Sequence, residues 1–502
     1  MSRAAVAVAI LAALSLFTIG IVAGTWAVGG SDSSCYALMA EAFARGSLQP
    51  YLPFAGHAPW ANATLTFAPA GFIPSPVRPA FASPICAPGF SVVMVPFRWI
   101  AGMDGIFLVT PFAAAMLVWS AFVVARHLAG PIAGAAAAVL VATSPIVLFQ
   151  TVQPMNDITT AALWMAVVAG TTLTGPGRPW IVGLLTGLAI LVRPNLAPLA
   201  LVVTVWLIAR ADRRLRTCSQ LITAAVPGII AVAVLNWMLY GHPGRLGYGS
   251  AADLFSVTYV ATNVAHYGRA LFETQTPFLA LALAAPFVVR REVRGVVWLG
   301  VAMAATTVAI YVLYRPFEEW WYVRFLLPAI ALAIALATAV TVVMLKKPVL
   351  VAALVLGLSV FGVWTANERQ VFQLQALEAR FQHAGHFARD RLPPNAVFIN
   401  VWQSGTMRYY ANRESVLWDS LDPSSLESAV AWFRQQGREP FLVFERWEEP
   451  GFRSRFGSSS PLGLLDWPPR YEIDRQVRVY APADRDAYLG GHPYPTEYVF
   501  AR

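Results

Sequence analysis

Repeated apolar runs of about 20 residues limit the possible folds of this sequence more than any other feature. A helix of that length spans the roughly 30 Å hydrocarbon core of a bilayer. This window predicts about eleven transmembrane helices, at 4–28, 104–126, 131–149, 157–174, 180–193, 195–210, 218–240, 277–289, 295–314, 324–344 and 348–366. Composition agrees, because only 13% of the residues are charged, against roughly 25% in soluble domains. The sequence therefore predicts a polytopic α-helical membrane protein.

The first apolar run predicts an uncleaved span, since its length exceeds the roughly 7–15 apolar residues of a secretory signal. The formal net charge of +9 is interpreted as an orientation signal, because basic residues beside membrane spans set topology. No soluble segment carries a basic stripe with interleaved aromatic residues. Nucleic acid is therefore not predicted as a partner, whereas membrane lipids are.

Lys and Arg in short loops predict which side faces the cytoplasm. With the N-terminus inside, the short basic loops all fall on the cytoplasmic side: Arg126, Arg178, Arg210–Arg216, Arg290–Arg294 and Lys346–Lys347. An odd number of spans then places the C-terminus outside, together with the long loops 29–103 and 241–276. We expect a multi-pass protein of a bacterial inner membrane whose C-terminal domain is periplasmic.

The composition changes near Asn367 to that of a soluble domain. Residues 1–366 are thus predicted as the transmembrane domain and 367–502 as a soluble α/β domain outside the membrane. Alternating patterns support the α/β assignment: helices at Gln370–Arg391 and Ser424–Gln436, strands at Ala396–Val401 and Phe441–Glu445. No glycine-rich phosphate loop precedes these helices, so nucleotide binding is not predicted.

Two acidic residues stand at predicted span ends on the outer side. Asp32 follows the first span and Asp157 opens the fourth. Acids in or near a bilayer are costly, so they often mark functional sites. Helix capping is the structural alternative for each, and spacing alone favours it. Asp32 also precedes a predicted amphipathic helix, Ser33–Arg45, expected to lie on the membrane surface.

Several ordered motifs resemble the GT-C glycosyltransferases of the protein-mannosyltransferase and aminoarabinose-transferase type. They are Ser31–Leu48, Ala87–Phe90, Ser144–Pro145 followed by Asn156–Asp157, Arg193–Asn195 and Tyr322–Pro328. The resemblance covers essentially all of 1–366. It departs from the family pattern at Ser33, where many relatives carry a second acid, and this puts a paired-acid or metal role there in doubt.

The resemblance implies that a sugar is transferred from a polyprenyl-phosphate donor to a glycan, lipid or protein acceptor outside the membrane. Asp32 is the candidate general base, and Asp157 the candidate to orient the acceptor or help bind a divalent cation. No cofactor is required by the sequence, and metal ligands stay undefined. The candidate substrate-binding residues are Tyr36, Arg78, Asn156, Arg193, Arg269, Arg315, Glu318 and Arg324.

Arginine suits a lipid phosphate because its guanidinium group makes bidentate contacts. The alternative for Arg78, Arg245 and Arg269 is an interfacial anchor. Cys35 and Cys86 share the first outer loop, and the sequence leaves open both a disulfide and two unpaired thiols. A transporter or flippase, and a ligase or polymerase of lipid-linked oligosaccharides, are the alternative functions.

Overall fold

The computed structural model describes residues 2–500, and the described chain is mainly helical. Its α-helices are α1 Arg3–Val22, α2 Asp32–Ala44, α3 Ala63–Phe67, α4 Gly89–Ala101, α5 Val109–Ala129, α6 Pro131–Ala142, α7 Pro145–Thr151, α8 Asn156–Thr171, α9 Arg178–Val192, α10 Pro198–Ala209, α11 Arg214–Tyr240, α12 Ala251–Leu254, α13 Val260–Gln275, α14 Ala285–Val288, α15 Arg294–Val312, α16 Leu327–Leu345, α17 Pro348–Glu368, α18 Leu374–Arg391, α19 Ser404–Ala411, α20 Leu426–Gln435, α21 Glu449–Phe456 and α22 Asp484–Leu489. Short 3-10 helices include Pro194–Leu196, Pro277–Ala284 and Trp320–Leu326.

The β-strands are fewer and shorter. They are β1 Phe72–Pro74, β2 Ala82–Pro84, β3 Ala396–Asn400, β4 Ser415–Leu417, β5 Glu439–Glu445, β6 Tyr471–Ile473, β7 Val477–Tyr480 and β8 Glu497–Val499. The chain divides into two compact units. The helical unit comprises the chain up to Gly24, Ile100–Leu235 and Gly249–Leu374, and the α/β unit comprises Thr25–Trp99, Asn236–Tyr248 and the chain from Gln375.

The helical unit contains the membrane spans. By length and apolar composition, six helices can cross a bilayer, or eight when two bent pairs are each counted as one span. The six are Arg3–Val22, Met103–Ala129, Arg214–Tyr240, Arg291–Val312, Trp320–Leu345 and Pro348–Glu368. The polytopic membrane fold predicted from the sequence is therefore confirmed, whereas the count of about eleven spans stays a prediction.

One predicted span is broken in the structure, and another begins at a sharp bend. The span at 131–149 is two helices, α6 and α7, that bend by 60° around Thr143 and Ser144. The span at 277–289 is a 3-10 helix and one short α-helix, and it bends by 102° from α13. Pro145 and Pro277 follow the breaks, and proline cannot donate the backbone hydrogen bond that would continue a helix. Helix α13 itself lies in what was expected to be an outer loop.

The α/β unit contains a six-stranded mixed sheet with the strand order β4-β3-β5-β7-β6-β8. Strands β4, β3 and β5 are parallel, and β7 is antiparallel to both β5 and β6. Helices α18 and α19 pack their apolar residues on one face of this sheet, where Phe398, Phe441 and Val443 form the core. The predicted α/β fold of the C-terminal part is confirmed, whereas the domain boundary between 366 and 367 stays a prediction.

Helix α2 has the predicted position but not the predicted environment. Every residue from Ser34 to Ala40 is buried, so the helix does not present one apolar face to a membrane surface. A disulfide between Cys35 and Cys86 fixes it, with the two Cα atoms 6.2 Å apart. Helix α19 packs against its other side, where Gly405 lies against Ser34. The expectation of a surface amphipathic helix was wrong because partners distant in sequence enclose it.

Candidate functional site

Three charged side chains from separate elements meet in the helical unit. Asp157 lies in the first turn of α8, Arg193 directly follows α9, and Arg324 lies in the 3-10 helix that leads into α16. Arg193 donates a short hydrogen bond to one oxygen of Asp157, and Nε of Arg324 lies 3.7 Å from the other oxygen. All three side chains are nearly buried, with 4%, 13% and 9% of the surface exposed for Asp157, Arg193 and Arg324.

The backbone at the end of α9 explains how Arg193 reaches this position. Pro194 follows it and begins a 3-10 helix, so the α-helix stops at Val192. Asn156 bridges the two elements, because its Oδ1 accepts from Arg193 at 3.4 Å and its Nδ2 donates to the Val192 carbonyl at 3.5 Å. The Asn156 side chain therefore joins the start of α8 to the end of α9.

Aromatic rings enclose the two guanidinium groups. Arg193 lies 5.6 Å from the ring centroid of Tyr311 and 5.1 Å from that of Phe325. Arg324 lies 5.0 Å from the Tyr322 ring. The Tyr311 hydroxyl accepts a hydrogen bond of 3.0 Å from Asn195. Cations over aromatic faces gain up to about 2 kcal/mol when desolvated, so this shell holds the arginines in fixed positions.

Helix capping does not explain the position of the Asp157 carboxylate. Met155 occupies the N-cap position of α8, and Asp157 is the second residue of the helix. A carboxylate in the first turn interacts favourably with the helix dipole, by about 0.3–1 kcal/mol. Its close contact with Arg193, however, belongs to the charged cluster rather than to the cap.

Asp32 lies in the α/β unit and is the first residue of α2. Ser31 takes the N-cap position, and the side chain that closes the turn is Ser33, whose Oγ donates to the Gly29 carbonyl at 2.6 Å and accepts from the Gly29 N–H at 3.1 Å. Ser33, which stands where many relatives have a second acid, therefore has a structural role in shaping the turn around Asp32.

The C-terminal part of the α/β unit fixes the segment that precedes Asp32. The Gly30 N–H donates to the Trp402 carbonyl at 3.2 Å. Val28 accepts from Thr406 Oγ1 at 2.8 Å and donates to the Tyr410 hydroxyl at 3.0 Å. These contacts could not be predicted from the sequence, because no local pattern links residues separated by more than 370 positions.

The other predicted site residues lie in varied environments. Tyr36 is buried in the α/β unit, where its ring packs edge-on against Phe90 at 5.0 Å. Arg78 stacks 3.9 Å from the Phe81 ring in the same unit. Arg269, Arg315 and Glu318 are exposed on the helical unit. The structure thus brings together four of the predicted residues of the helical unit: Asn156, Asp157, Arg193 and Arg324.

Sequence reasoning did not identify Tyr311 and Phe325 as parts of the cluster. Both occur in apolar runs, where an aromatic residue resembles any other core residue. Within residues 2–500, no group of three or more His, Cys, Asp or Glu side chains is arranged to hold a metal ion.

Comparison with known proteins supports the membrane glycosyltransferase resemblance. Residues 97–237 match the family model described as dolichyl-phosphate-mannose-protein mannosyltransferase. No protein of curated function matches the sequence. Solved structures match over nearly the whole chain, and each shares the fold at low sequence identity.

ArnT from Cupriavidus metallidurans in its apo state has a TM-score of 0.57 and 14% identity, over 98% of this chain and 99% of that chain. The same protein bound to undecaprenyl phosphate has a TM-score of 0.56 and 15% identity, over 91% and 96%. The Archaeoglobus fulgidus oligosaccharyltransferase has a TM-score of 0.55 and 11% identity, over 93% of this chain and 73% of that chain.

Proposed function

We propose that this chain, which shares its fold with membrane glycosyltransferases of the GT-C type, transfers a sugar from a polyprenyl-phosphate donor to an acceptor hydroxyl, with inversion, at the outer face of the membrane. The observation that carries the proposal is the convergence of Arg193 and Arg324 on Asp157, at the ends of three helices of the helical unit. Solved relatives hold undecaprenyl phosphate and, in an archaeal oligosaccharyltransferase, dolichol phosphate.

Arg193 and Arg324 form the proposed phosphate subsite. Guanidinium groups make charge-assisted hydrogen bonds to phosphate oxygens, and two arginines together can balance the negative charge of a departing phosphate. Asp157 positions them, because a carboxylate between two cations fixes both geometries before the donor arrives. Preorganised cations of this kind stabilise the negative charge that develops on the leaving group.

The position of the cluster in the helical unit supports the outer face. Helix α15 begins at Arg294, in a basic loop, and carries Tyr311 near its other end, where Tyr311 lies beside Arg193. A 19-residue helix is about 28 Å long. The cluster and that basic loop thus lie at opposite ends of the helix. Because basic loops tend to stay in the cytoplasm, this separation supports an outer position for the cluster.

In the proposed reaction, the acceptor oxygen attacks the anomeric carbon as the bond from that carbon to the phosphate oxygen breaks. Asp32 accepts the hydroxyl proton, and polyprenyl phosphate leaves with the electron pair of the broken bond. A single displacement inverts the anomeric configuration, as in other one-step glycosyl chemistry. Proton removal by a placed carboxylate contributes typically 10²–10⁴-fold to such a rate.

The decisive experiment replaces the proposed base. Asp32→Asn should insert and fold normally and bind donor, but lose about 10²-fold or more of transfer. Purified protein in nanodiscs is assayed with undecaprenyl-phosphate-linked, radiolabelled mannose and arabinofuranose, since relatives of both kinds match, and with cell-envelope extract as acceptor.

Asp390→Asn is the matched control, because Asp390 is an exposed aspartate of the same unit. Full transfer by Asp32→Asn would reject Asp32 as the base. Absence of transfer by the unaltered protein from any polyprenyl-phosphate sugar would reject the donor class.

A further inference from the structure

The carboxyl edge of the sheet in the α/β unit has the form of a ligand crevice. From β3 the chain passes through α19 to β4 on one side, whereas from β5 it passes through α21 toward β7 on the other. The parallel strands β3 and β5 are neighbours, so the two connections leave in opposite directions from adjacent strands. In open α/β sheets, ligands bind at this switch point, outside the carboxyl ends of the strands.

A matched pair of tryptophans covers this edge. Trp402 comes two residues after β3, and Trp447 comes two residues after β5. Their ring centroids are 5.4 Å apart with a 68° angle between the planes. Of the five tryptophans that follow Gln375 in the sequence, these two are the exposed ones, at 39% and 60%. Large aromatic rings left in contact with solvent commonly mark a binding surface.

Buried polar groups lie at the same edge. Glu448 is 2% exposed and joins the two loops, since its carboxylate accepts from the N–H groups of Trp402 at 3.4 Å and Glu445 at 2.8 Å. Burial raises the pKa of Glu448 to about 7, and those hydrogen bonds offset part of the rise. This carboxyl fixes the separation of the loops that carry the tryptophans.

Two further side chains at this edge have hydrogen-bonding capacity to spare. Asn400 is the last residue of β3 and is fully buried, and within residues 2–500 neither its amide nitrogen nor its amide oxygen has a partner. Gln403, also fully buried, donates to Glu445 at 2.7 Å, but its Oε1 has no partner in the described chain. Buried polar atoms are normally satisfied, by protein or by ordered water, so these two amides are exceptions that call for an explanation.

The tryptophan pair lies beside the segment that carries the proposed base. Gly30 donates to the Trp402 carbonyl, and a Cβ placed on Gly30 would lie 2.8 Å from the Trp402 ring. Asp32 follows two residues later, which corresponds to at most about 7 Å of extended chain. A molecule held on the tryptophan rings is therefore near the Asp32 turn.

We propose that Trp402 and Trp447 form a carbohydrate-binding subsite for the acceptor, so that the acceptor bears a sugar ring close to the hydroxyl that is glycosylated. This inference rests on the proposed function. Sugar rings have an apolar face that packs on aromatic rings and hydroxyl groups at their rim. The exposed rings offer the apolar contact, and the amide atoms of Asn400 and Gln403 that lack a partner within residues 2–500 lie buried at the same edge, whereas an anchor in lipid needs only the rings.

The test measures acceptor and donor kinetics separately in full-length protein in nanodiscs. Trp447→Ala should raise the acceptor KM roughly tenfold, by loss of the stacking surface, with the donor KM unchanged. Trp447→Phe should keep the acceptor KM close to that of the unaltered protein. Tyr498→Ala is the matched control, because Tyr498 is an exposed aromatic residue on β8 of the same sheet, and it should change neither constant.

A second measurement identifies what contacts the rings. A polarity-sensitive fluorophore is attached to the cysteine of Trp447→Cys in a Cys218→Ser background. Its emission should be that of an aqueous environment, and the emission should change when mannotetraose or arabinotetraose is added. A lipid-like signal with no response to either saccharide would assign the pair as a membrane anchor and overturn the proposal. An unchanged acceptor KM in Trp447→Ala, with Asp32→Asn inactive, would reject this subsite alone; transfer by Asp32→Asn would instead reject the proposed base.

Discussion

At the scale of single residues, the contact between Asp157 and Arg193 is central to the proposed phosphate subsite. A buried ion pair adds little net stability, since desolvation of both charges offsets their attraction. Removing one partner is costly, because the other charge remains buried without compensation. The pair is therefore better explained as a device that holds Arg193 in place than as a source of stability.

A double-mutant cycle tests this explanation. Arg193→Ala and Asp157→Ala should each destabilise the protein by about 3–5 kcal/mol, whereas the double variant should be destabilised by clearly less than their sum. Thermal unfolding in detergent micelles gives the three values. All three variants should lose transfer, because each disrupts the phosphate subsite.

Arg269→Ala serves as the control, since Arg269 is exposed and a surface change should stay within about 0.5 kcal/mol. Strictly additive effects of the two cluster substitutions would show that Asp157 does not hold Arg193.

The sequence allowed part of this cluster to be predicted. Asp157, Arg193 and Arg324 stand at the ends of apolar runs, where a charge is conspicuous. Arg315 and Glu318 also stand near a predicted span end and yet are exposed, because which helix ends meet is set by packing between distant segments. Tyr311 gave no signal, since an aromatic residue within an apolar run is ordinary.

At the scale of elements, the close approach of α2 and α19 sets the position of the Asp32 turn. A Cβ on Gly405 would lie 2.2 Å from Ser34 Oγ and 2.4 Å from Ser34 Cβ. Only a residue without a side chain permits this distance. Ser34 is two residues from Asp32, so a shift of α2 at this contact is passed directly to the proposed base.

Gly405→Ala should therefore impair both stability and transfer. Alanine favours the helix by up to about 1 kcal/mol, but overpacking costs typically 1–3 kcal/mol, so we expect a net loss of stability. Transfer should fall more than donor binding, because the displaced element carries Asp32 rather than the arginines. Thermal unfolding and the radiolabel assay measure the two effects.

Gly56→Ala is the matched control in the same unit, since no atom lies within 4 Å of the added Cβ. Ser34→Gly in the Gly405→Ala background should recover part of the lost transfer. No loss in Gly405→Ala, or no recovery in the double variant, would show that this contact does not set the Asp32 turn.

The elements that could be predicted are those with a strong local pattern. Strands β3 and β5 were predicted, at Ala396–Val401 and Phe441–Glu445, because each is a mainly apolar run that follows a helical pattern. Strands β4, β6 and β8 have three residues each, which is too short for an alternating pattern to be recognised. Their pairing depends on contacts distant in sequence.

At the scale of the whole molecule, two groups of arginines lie at opposite ends of the helical unit. Trp206 donates to the Gly295 carbonyl at 2.6 Å, and the guanidinium of Arg210 packs against Gly295. The basic segments at the end of α10 and the start of α15 therefore meet at one end of this unit. Arg193 lies beyond the opposite end of α10, so the arginines of the proposed phosphate subsite are separate from the arginines of the predicted cytoplasmic loops.

The cysteines provide an independent indication of sidedness. The α/β unit contains the Cys35–Cys86 disulfide, whereas Cys218, in the first turns of α11 beside Arg214 and Arg216, is a free thiol. Disulfides form outside the cytoplasm, where the environment is oxidising. The disulfide and the free thiol are therefore what the proposed orientation predicts for an outer loop and for the start of α11, respectively.

Cysteine labelling tests this orientation. In a Cys218→Ser background that keeps the disulfide, Asp419→Cys should react with a membrane-impermeant maleimide in intact spheroplasts, because Asp419 is an exposed residue of the α/β unit. Arg213→Cys, also exposed, should react only after permeabilisation, since short basic loops tend to be retained in the cytoplasm. The unaltered background protein gives the blank. Labelling of Arg213→Cys in intact spheroplasts would place the basic loops outside, and the arginine cluster at the far end of α15 would then face the cytoplasm, which contradicts transfer at the outer face.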